Sequence, residues 1–169
     1  RREIALQQPR EIVAEVLELM TPLAAERNVT LRNELPPTLP GIEADREELV
    51  RLFNNLISNA IKYNRPAGTV TVAGQADGPF VKISITDTGM GISEEGIRNL
   101  FTEFFREKRR ETSHITGTGL GLSIVKRIVD YYHGRLEVQS QLDVGSTFTV
   151  WLPSKYQAEE SASAHAVAP

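Results

Sequence analysis

The chain has 169 residues, 40% of them hydrophobic and 24% charged, which predicts one globular domain with a sizeable core. It contains no cysteine, which excludes disulfide bonds and thiolate metal sites, and its net charge of −3 argues against a general nucleic-acid binder. No segment approaches the roughly 18 uninterrupted apolar residues of a membrane span, and there is no signal-peptide pattern.

The N-terminal part of the chain predicts one helix and two short strands. Apolar residues recur at helical spacing over residues 11–27, and Pro22 within this run predicts a kink or a break. Residues 29–35 alternate between apolar and polar, as a short strand does, and residues 41–44 are a second candidate strand.

A second helix should begin after Asp45. This residue is a plausible N-cap, and Glu48 stands at the third helical position, which is the spacing of a capping box. We expect the helix to reach about Asn64, because proline and glycine follow soon after.

One face of this second helix carries the most informative side chains. Asn55, Asn59 and Lys62 are separated by steps of four and three residues, which place both amides and the ammonium on the same face. An amide oxygen can ligate a hard cation such as Mg²⁺, and a lysine can neutralise phosphate. The pattern therefore indicates a metal–phosphate site, although either asparagine alone would be expected simply to face water. Tyr63, the next residue, could stack on a base or belong to ordinary packing.

The remaining sequence predicts two hairpins, two helical segments and a polar loop. These are strands over 69–75 and 80–86, short helices over 93–105 with Ser93 as the cap, a loop over 106–116, a helix over 120–132, and strands over 135–141 and 146–152. Small polar residues beyond about 155 predict a disordered tail. The order of elements favours a helix layer on one face of a mostly antiparallel sheet.

The segment Asp87-Thr88-Gly89-Met90-Gly91 directly follows a predicted strand. A carboxylate at a strand end could accept a hydrogen bond from an exocyclic amine such as that of adenine, and the glycines would allow a ligand to approach the backbone. Taken alone, the segment is equally typical of a strand-to-helix turn with aspartate as a local cap.

A second glycine-rich segment, Gly117-Thr118-Gly119-Leu120-Gly121, precedes a predicted helix. Its backbone N–H groups and the helix N-terminus could face phosphate, or the segment could be a flexible hinge. Neither a dinucleotide-binding fingerprint nor a Walker A loop fits, because no strand precedes the glycines and no Gly-Lys pair occurs.

Basic residues between the two glycine segments are candidate counter-charges for a triphosphate: Arg106, Lys108, Arg109 and Arg110. Glutamates interrupt them, which also suits a solvated loop. Arg106 differs because it directly follows a group of phenylalanines that could anchor it.

Five segments in this order resemble the motifs of the sensor histidine kinases. They are residues 55–63 for the N box, 87–91 for the G1 box, 101–106 for the F box, 117–122 for the G2 box and 143–148 for the last glycine motif. Two positions depart from the family pattern: Glu103 replaces the usual proline of the F box, and Asp143 stands where a glycine is common. The resemblance covers roughly residues 9–155 and extends to the wider ATPase superfamily of gyrase B, Hsp90 and MutL.

The resemblance implies an α/β two-layer sandwich of the Bergerat type. About five strands of a mixed, mostly antiparallel sheet would be covered on one face by about three helices, with a mobile ATP lid. Residues 1–8 would be the remnant of a linker from a dimerisation and phosphoacceptor domain, residues 9–155 the catalytic domain, and residues 156–169 a disordered tail.

The resemblance also implies ATP and Mg²⁺ as cofactors and assigns site residues by position. Asn59 would ligate Mg²⁺ with support from Asn55, Lys62 and Arg106 would contact phosphates, and Asp87 would bind the adenine amine. Asn55, Lys62 and Arg106 would serve catalysis. The further nucleotide-binding residues would be Tyr63, Gly89, Gly91, Gly117, Thr118, Gly119, Leu120, Gly121 and Ser146.

The residue four positions before Asn59 separates two kinds of activity. The hydrolases of the superfamily carry a glutamate there that activates water, whereas this chain has Asn55, and a neutral amide is a poor general base. We therefore expect phosphoryl transfer to a histidine on a separate dimerisation domain. An anti-sigma-factor-like serine kinase, a nucleotide-binding pseudokinase and an interaction domain that binds no nucleotide stay open as alternatives.

The expected partners follow from the same resemblance. They are ATP and ADP, the dimerisation domain of the same kinase and a downstream response regulator, with no nucleic acid. Because the chain starts at Arg1 rather than Met, we expect a fragment of a longer protein. The resemblance implies that this fragment is monomeric and that its parent is homodimeric and cytoplasmic, with an anchor in the inner membrane allowed.

Overall fold

The computed structural model describes residues 1–100 and 118–158, and within the second range it describes side chains from residue 122 onward. The elements in these ranges are β1 (Ile4–Gln7), α1 (Pro9–Glu26), β2 (Thr30–Asn33), β3 (Ile42–Asp45), α2 (Arg46–Lys62), β4 (Thr69–Asp77), β5 (Phe80–Asp87), α3 (Glu94–Arg98), α4 (Thr118–Tyr131), β6 (Arg135–Gln141) and β7 (Gly145–Pro153). None of the described helices is both long and apolar enough to cross a membrane.

Five of the strands form one sheet in the order β2-β4-β5-β7-β6. Strand β2 runs parallel to β4, and the other neighbours are antiparallel. Both predicted hairpins, β4–β5 and β6–β7, are present. The sequence-based prediction of a mixed, mostly antiparallel sheet of about five strands is confirmed.

Burial alternates along the central strands, because only one face of the sheet meets the helices. On β5, Val81, Ile83 and Ile85 are buried, while the residues between them lie on the other face. Helices α1, α2 and α4 complete the core from their apolar sides. The core thus lies between one sheet face and a helix layer, as predicted.

Helix α1 is continuous through Pro22, so the predicted break does not occur. Pro22 is exposed, and the carbonyl that loses its helical partner there can bond to water instead. Helix α3 begins after Ser93, whose hydroxyl accepts the Gly96 N–H at 2.9 Å, as the prediction of a cap requires. The remainder of the predicted helical stretch, beyond residue 100, lies outside the described residues.

The two ends of the described chain belong to the folded unit. Strand β1 pairs antiparallel with β3, although residues 1–8 were expected to be a linker remnant. Near the other end, the Ser154 hydroxyl donates to the Gly41 carbonyl at 2.7 Å and the Tyr156 N–H to Glu43 at 2.8 Å. The first residue of the expected tail, Tyr156, therefore packs against the domain, and residues 159–169 lie outside the described part.

Candidate functional site

The polar face of α2 carries the asparagines that the sequence singled out. Asn55, Asn59 and Lys62 are half-buried, whereas Leu56, Ile57, Ala60 and Ile61 on the opposite side are buried in the core. Within residues 1–100 and 118–158, the Asn55 and Asn59 amide nitrogens are the buried side-chain polar atoms that lack a hydrogen-bond partner in the protein. These two groups do not simply face water.

Leaving a buried polar group without a partner costs about 1–3 kcal/mol. Two such groups on successive turns of one helix are expected where a ligand completes the bonding, since buried polar groups are otherwise almost always paired. Each amide carries a donor and an acceptor, so together they fit phosphate oxygens and a hard cation. The side-chain amides of Asn55 and Asn59 therefore fit a polyphosphate that carries a bound metal ion.

Asp87 lies at the end of β5 on the face that meets the helices. It follows Val81, Ile83 and Ile85 in the same alternation, and its neighbours across the sheet are Val70 and Ser146. The side chain is only 8% exposed. A carboxylate thus occupies a position that the strand pattern would give to an apolar residue. The sequence had not shown that this position is buried.

Two backbone groups hold the Asp87 carboxylate. The Gly89 N–H donates to Oδ1 at 2.9 Å, and the Ser146 N–H also donates to the carboxylate. Burial raises the pKa of Asp87 to about 6, and the two N–H groups only partly oppose this rise. The predicted local cap is therefore present, but a turn alone does not explain why a charge is buried there.

The two glycines after Asp87 are required by close packing. A Cβ on Gly89 would lie 2.3 Å from the Tyr63 carbonyl oxygen, and one on Gly91 would lie 2.2 Å from the Gln141 carbonyl oxygen. Gly91 also has a φ of +72°, which favours glycine. These contacts give both glycines a structural reason, and their predicted role in admitting a base stays a prediction.

The Tyr63 backbone joins the end of α2 to the loop of residues 87–91, called the Asp87 loop below. Tyr63 is the residue that ends α2, and its carbonyl accepts the Met90 N–H at 3.1 Å. Arg27 stabilises the same helix end, because its Nη1 donates to the Lys62 carbonyl at 3.0 Å. The helix that carries the asparagines and the loop that carries the buried carboxylate are thus directly connected. Whether the Tyr63 ring lines an adenine site stays a prediction.

Ser146 is buried beside Asp87, with 7% of its surface exposed. Its hydroxyl lies 2.7 Å from that of Ser140, which also accepts the Ile92 N–H at 2.7 Å and donates to the Gly145 carbonyl at 3.1 Å. Ser140 was missed by the sequence analysis because nothing local marks a serine that joins three separate segments. The role assigned to Ser146 near adenine is not tested by these contacts.

Arg65 is a second residue that the sequence analysis missed. Its Nη2 donates to the carbonyls of Gly89 at 3.0 Å and Asp143 at 2.6 Å, and so reaches both the Asp87 loop and the turn between β6 and β7. The residue follows the asparagine motif, but its partners are 24 and 78 positions away in the chain. No spacing rule connects residues so distant.

The predicted lid residues are only partly described. Arg106 and Gly117 lie outside the described residues. Helix α4 begins at Thr118, two residues before the predicted start at Leu120, so Gly119 and Gly121 belong to its first turn. The prediction that a glycine-rich segment leads into a helix N-terminus agrees with this start, and its contact with phosphate stays a prediction.

Comparison with known proteins supports the arrangement. Residues 44–156 match the family model described as "Histidine kinase-, DNA gyrase B-, and HSP90-like ATPase". The chain is 40% identical to the sensor histidine kinase ZraS of Escherichia coli K12 over 137 residues, which cover 81% of this chain but 28% of ZraS. It thus spans less than a third of that relative's length.

Solved structures share the fold. The catalytic domain of the histidine kinase ThkA, in a nucleotide-free form, matches with a TM-score of 0.77 and 25% identity over 92% of this chain and 99% of that one. Full-length ShkA in complex with AMPPNP matches with a TM-score of 0.80 and 30% identity over 94% of this chain and 32% of that one. The chain belongs to the family of histidine kinase-, DNA gyrase B- and HSP90-like ATPases.

Proposed function

We propose that the domain binds Mg-ATP and transfers the γ-phosphoryl group to a histidine on a separate dimerisation domain, as the kinase module of a two-component system. The observation that carries this proposal is the pair of buried amide nitrogens of Asn55 and Asn59, which have no hydrogen-bond partner in the described part of the chain and lie on the helix whose end packs against the Asp87 loop. The similarity to sensor histidine kinases over most of the chain supports the same reading.

The Asp87 carboxylate would recognise adenine. The exocyclic amine of adenine is a donor, whereas guanine presents a carbonyl oxygen at the corresponding position. A carboxylate is an acceptor only, and burial among Val70 and the strand residues strengthens its interaction with a donor. An opposing carbonyl would leave it without a partner, so the site should prefer adenine.

The polar face of α2 would hold the phosphates and the metal. Asn59 would ligate Mg²⁺, Asn55 would support it, and Lys62 and Arg106 would contact phosphate oxygens. When bound, Mg²⁺ supplies neutralisation of the charge on the transferring phosphoryl group. The residues of this chain would orient the triphosphate and offset its charge, which is the main demand of phosphoryl transfer.

Asn55 favours transfer to a protein rather than hydrolysis. Its amide cannot take a proton from water at neutral pH, so this face of α2 provides no general base at that position. The acceptor histidine would come from the dimerisation domain of a homodimeric cytoplasmic parent, and a response regulator would receive the phosphoryl group.

Calorimetric titration tests the binding part of this proposal. The wild-type domain should bind ATP and ADP, Mg²⁺ should strengthen the binding, and Asn59→Ala should remove most of the Mg²⁺ effect because the proposed protein ligand is lost. The control is Asn99→Ala, at the half-buried asparagine that ends the short helix α3 and lies outside the polar face of α2. Binding of neither nucleotide below about millimolar concentration would refute nucleotide recognition.

Phosphotransfer needs a second experiment. The parent's dimerisation domain is added in trans with γ-labelled ATP, and acid-labile phosphate on that domain is the expected product. Nucleotide binding without labelled product would leave a binding module only. Acid-stable phosphate on a serine would instead identify a serine kinase.

A further inference from the structure

Arg65 forms a bridge between two loops at the Asp87 end of the site. It is exposed and lies three residues beyond the end of α2, where the Asn64 side chain accepts its N–H at 2.9 Å and its own carbonyl accepts the Gly68 N–H at 2.9 Å. One guanidinium nitrogen, Nη2, donates to two carbonyl oxygens, of Gly89 and of Asp143. Because hydrogen bonds hold the Arg65 backbone in place, its side chain can connect the two loops in a fixed geometry.

The first partner, Gly89, is bonded at both of its backbone groups. Its N–H donates to the Asp87 carboxylate at 2.9 Å, and its carbonyl accepts from Arg65 at 3.0 Å. Because Gly89 tolerates no Cβ against Tyr63, it has little room to shift on the other side. Arg65 therefore acts on the residue that holds the Asp87 carboxylate.

The second partner, Asp143, has a backbone conformation that needs support. Its φ of +65° is left-handed, which costs a non-glycine residue free energy although aspartate tolerates it better than most. Its N–H donates to the Met90 carbonyl at 2.8 Å, and its carbonyl accepts from Arg65 at 2.6 Å. The turn between β6 and β7 is thus fastened to the Asp87 loop at two points, one of which is Arg65.

We propose that Arg65 is a positioning residue for adenine recognition. It holds the Asp87 loop and the Asp143 turn at a fixed separation, so that the buried carboxylate is presented to the base in one orientation. Arg65 acts through Gly89 and Asp143 and needs no contact with the nucleotide. This inference rests on the proposed binding of adenine nucleotides and adds a residue that determines their selection.

The test replaces Arg65 with residues of similar length. Arg65→Met keeps the aliphatic stem and removes every donor, and should weaken ADP binding roughly tenfold, as expected for the loss of charge-assisted hydrogen bonds. Arg65→Lys keeps one charged donor group and should recover part of the affinity. Arg32→Met on the edge strand β2 is the matched control for an exposed arginine, and its ADP affinity should equal that of wild type.

Three further readouts separate positioning from general damage. Titrations are run at a temperature at which circular dichroism shows each variant folded. The ratio of ATP to ADP affinity should stay unchanged in Arg65→Met, because the phosphate end is untouched, while the preference for ADP over GDP should fall. Asp143→Gly in the Arg65→Met background should restore part of the affinity, because glycine takes the left-handed conformation without support.

The outcomes are distinct. If wild type binds no adenine nucleotide, the proposed function fails. If wild type binds ADP but Arg65→Met binds it within twofold of wild type, or Arg32→Met loses as much, the inference about Arg65 is wrong. If Arg65→Met does not fold, Arg65→Lys decides alone: an ADP affinity and an adenine preference equal to those of wild type would overturn the inference, because the shorter lysine side chain does not carry its nitrogen to the Nη2 position between the two carbonyls.

Discussion

At the scale of single residues, the candidate site consists of groups that are poorly suited to the fold without a ligand. Asp87 is a buried carboxyl with a raised pKa, and the buried amide nitrogens of Asn55 and Asn59 have no hydrogen-bond partner among the described residues. Each would be replaced by a better-satisfied residue if stability alone mattered. Such local conflicts between sequence and fold are expected at functional sites.

Asp87→Asn should stabilise the ligand-free domain and weaken adenine binding. A folded-state pKa of about 6 against an ordinary value of 3.8 means that the ionised carboxyl costs on the order of 3 kcal/mol at neutral pH. An amide removes that charge, and its oxygen can still accept the Gly89 N–H. Urea unfolding at neutral pH should therefore show a more stable variant, while calorimetry shows weaker ADP binding.

The control for this variant is Asp130→Asn, which removes an exposed carboxylate that pairs with Lys126 on α4. Its stability should change by less than about 1 kcal/mol, as is usual for exposed ion pairs. A lower stability of Asp87→Asn combined with an unchanged ADP affinity would contradict the role given to the buried carboxylate.

The stability of the domain and its affinity for ADP should both change with pH as Asp87 titrates. The folded pKa lies above the unfolded one, so the unfolded state ionises first and stability from this group falls as pH rises from about 4 to about 6. Adenine recognition needs the ionised form and should weaken as pH falls below about 6. The measurement is ADP affinity against pH in wild type and Asp87→Asn, because the variant shows the share due to the nucleotide's own titration. Identical pH profiles would rule out this assignment.

At the scale of secondary structure elements, α2 begins in a network that the sequence only half predicted. Asp45 accepts the Glu48 N–H at 3.1 Å, which confirms the predicted N-cap. Glu48 does not complete a capping box, because its carboxylate accepts from Arg2 and Tyr132, and the Tyr132 hydroxyl accepts the Asp45 N–H at 3.0 Å. The spacing revealed the local half, whereas the other partners, Arg2 before β1 and Tyr132 directly after α4, are remote in sequence.

Tyr132→Phe should separate stability from binding. The Tyr132 hydroxyl is buried and bonds both Asp45 and Glu48, so its removal should cost about 1–3 kcal/mol in the free energy of unfolding. At roughly 1.5 Å per residue, α2 places this network some 20 Å from Lys62, and ADP affinity of the folded variant should not change. Urea unfolding and calorimetry measure the two quantities.

Tyr131→Phe, which removes a hydroxyl bonded to that of Tyr156, is the matched control. A variant as stable as wild type, or one that binds ADP less well when folded, would be contrary to this expectation.

At the scale of the whole molecule, the sequence predicted the sheet and the helix layer better than it predicted the pairings between strands that are remote in sequence. Alternation and turn residues identified both hairpins, because such signals connect strands that are neighbours in sequence. The parallel pairing of β2 with β4 and the separate β1–β3 pair join remote segments, and no local pattern reports them. Residues 1–8, which contain β1, were assigned to a linker from the family resemblance, and the four residues of this strand carry too little periodicity to indicate it.

The candidate site follows the same rule. Spacing identified Asn55 and Asn59, and the position after a strand identified Asp87. Both signals are local in sequence. Arg65 was not found, because its role depends on loops that meet only in the folded chain. The described part of the site lies where the C-terminal half of α2, the loop after β5 and the β6–β7 turn converge, and the fold brings these together.

The affinities of the wild-type domain for ADP and GDP, compared in one calorimetric experiment at neutral pH with Mg²⁺, test the central claim most directly. If the buried carboxylate of Asp87 selects a donor on the base, ADP should bind at least roughly tenfold more tightly than GDP, since a lost charged hydrogen bond is worth about 1.5–3 kcal/mol. Equal binding of the two nucleotides would contradict the assignment of Asp87 as the adenine-recognising residue.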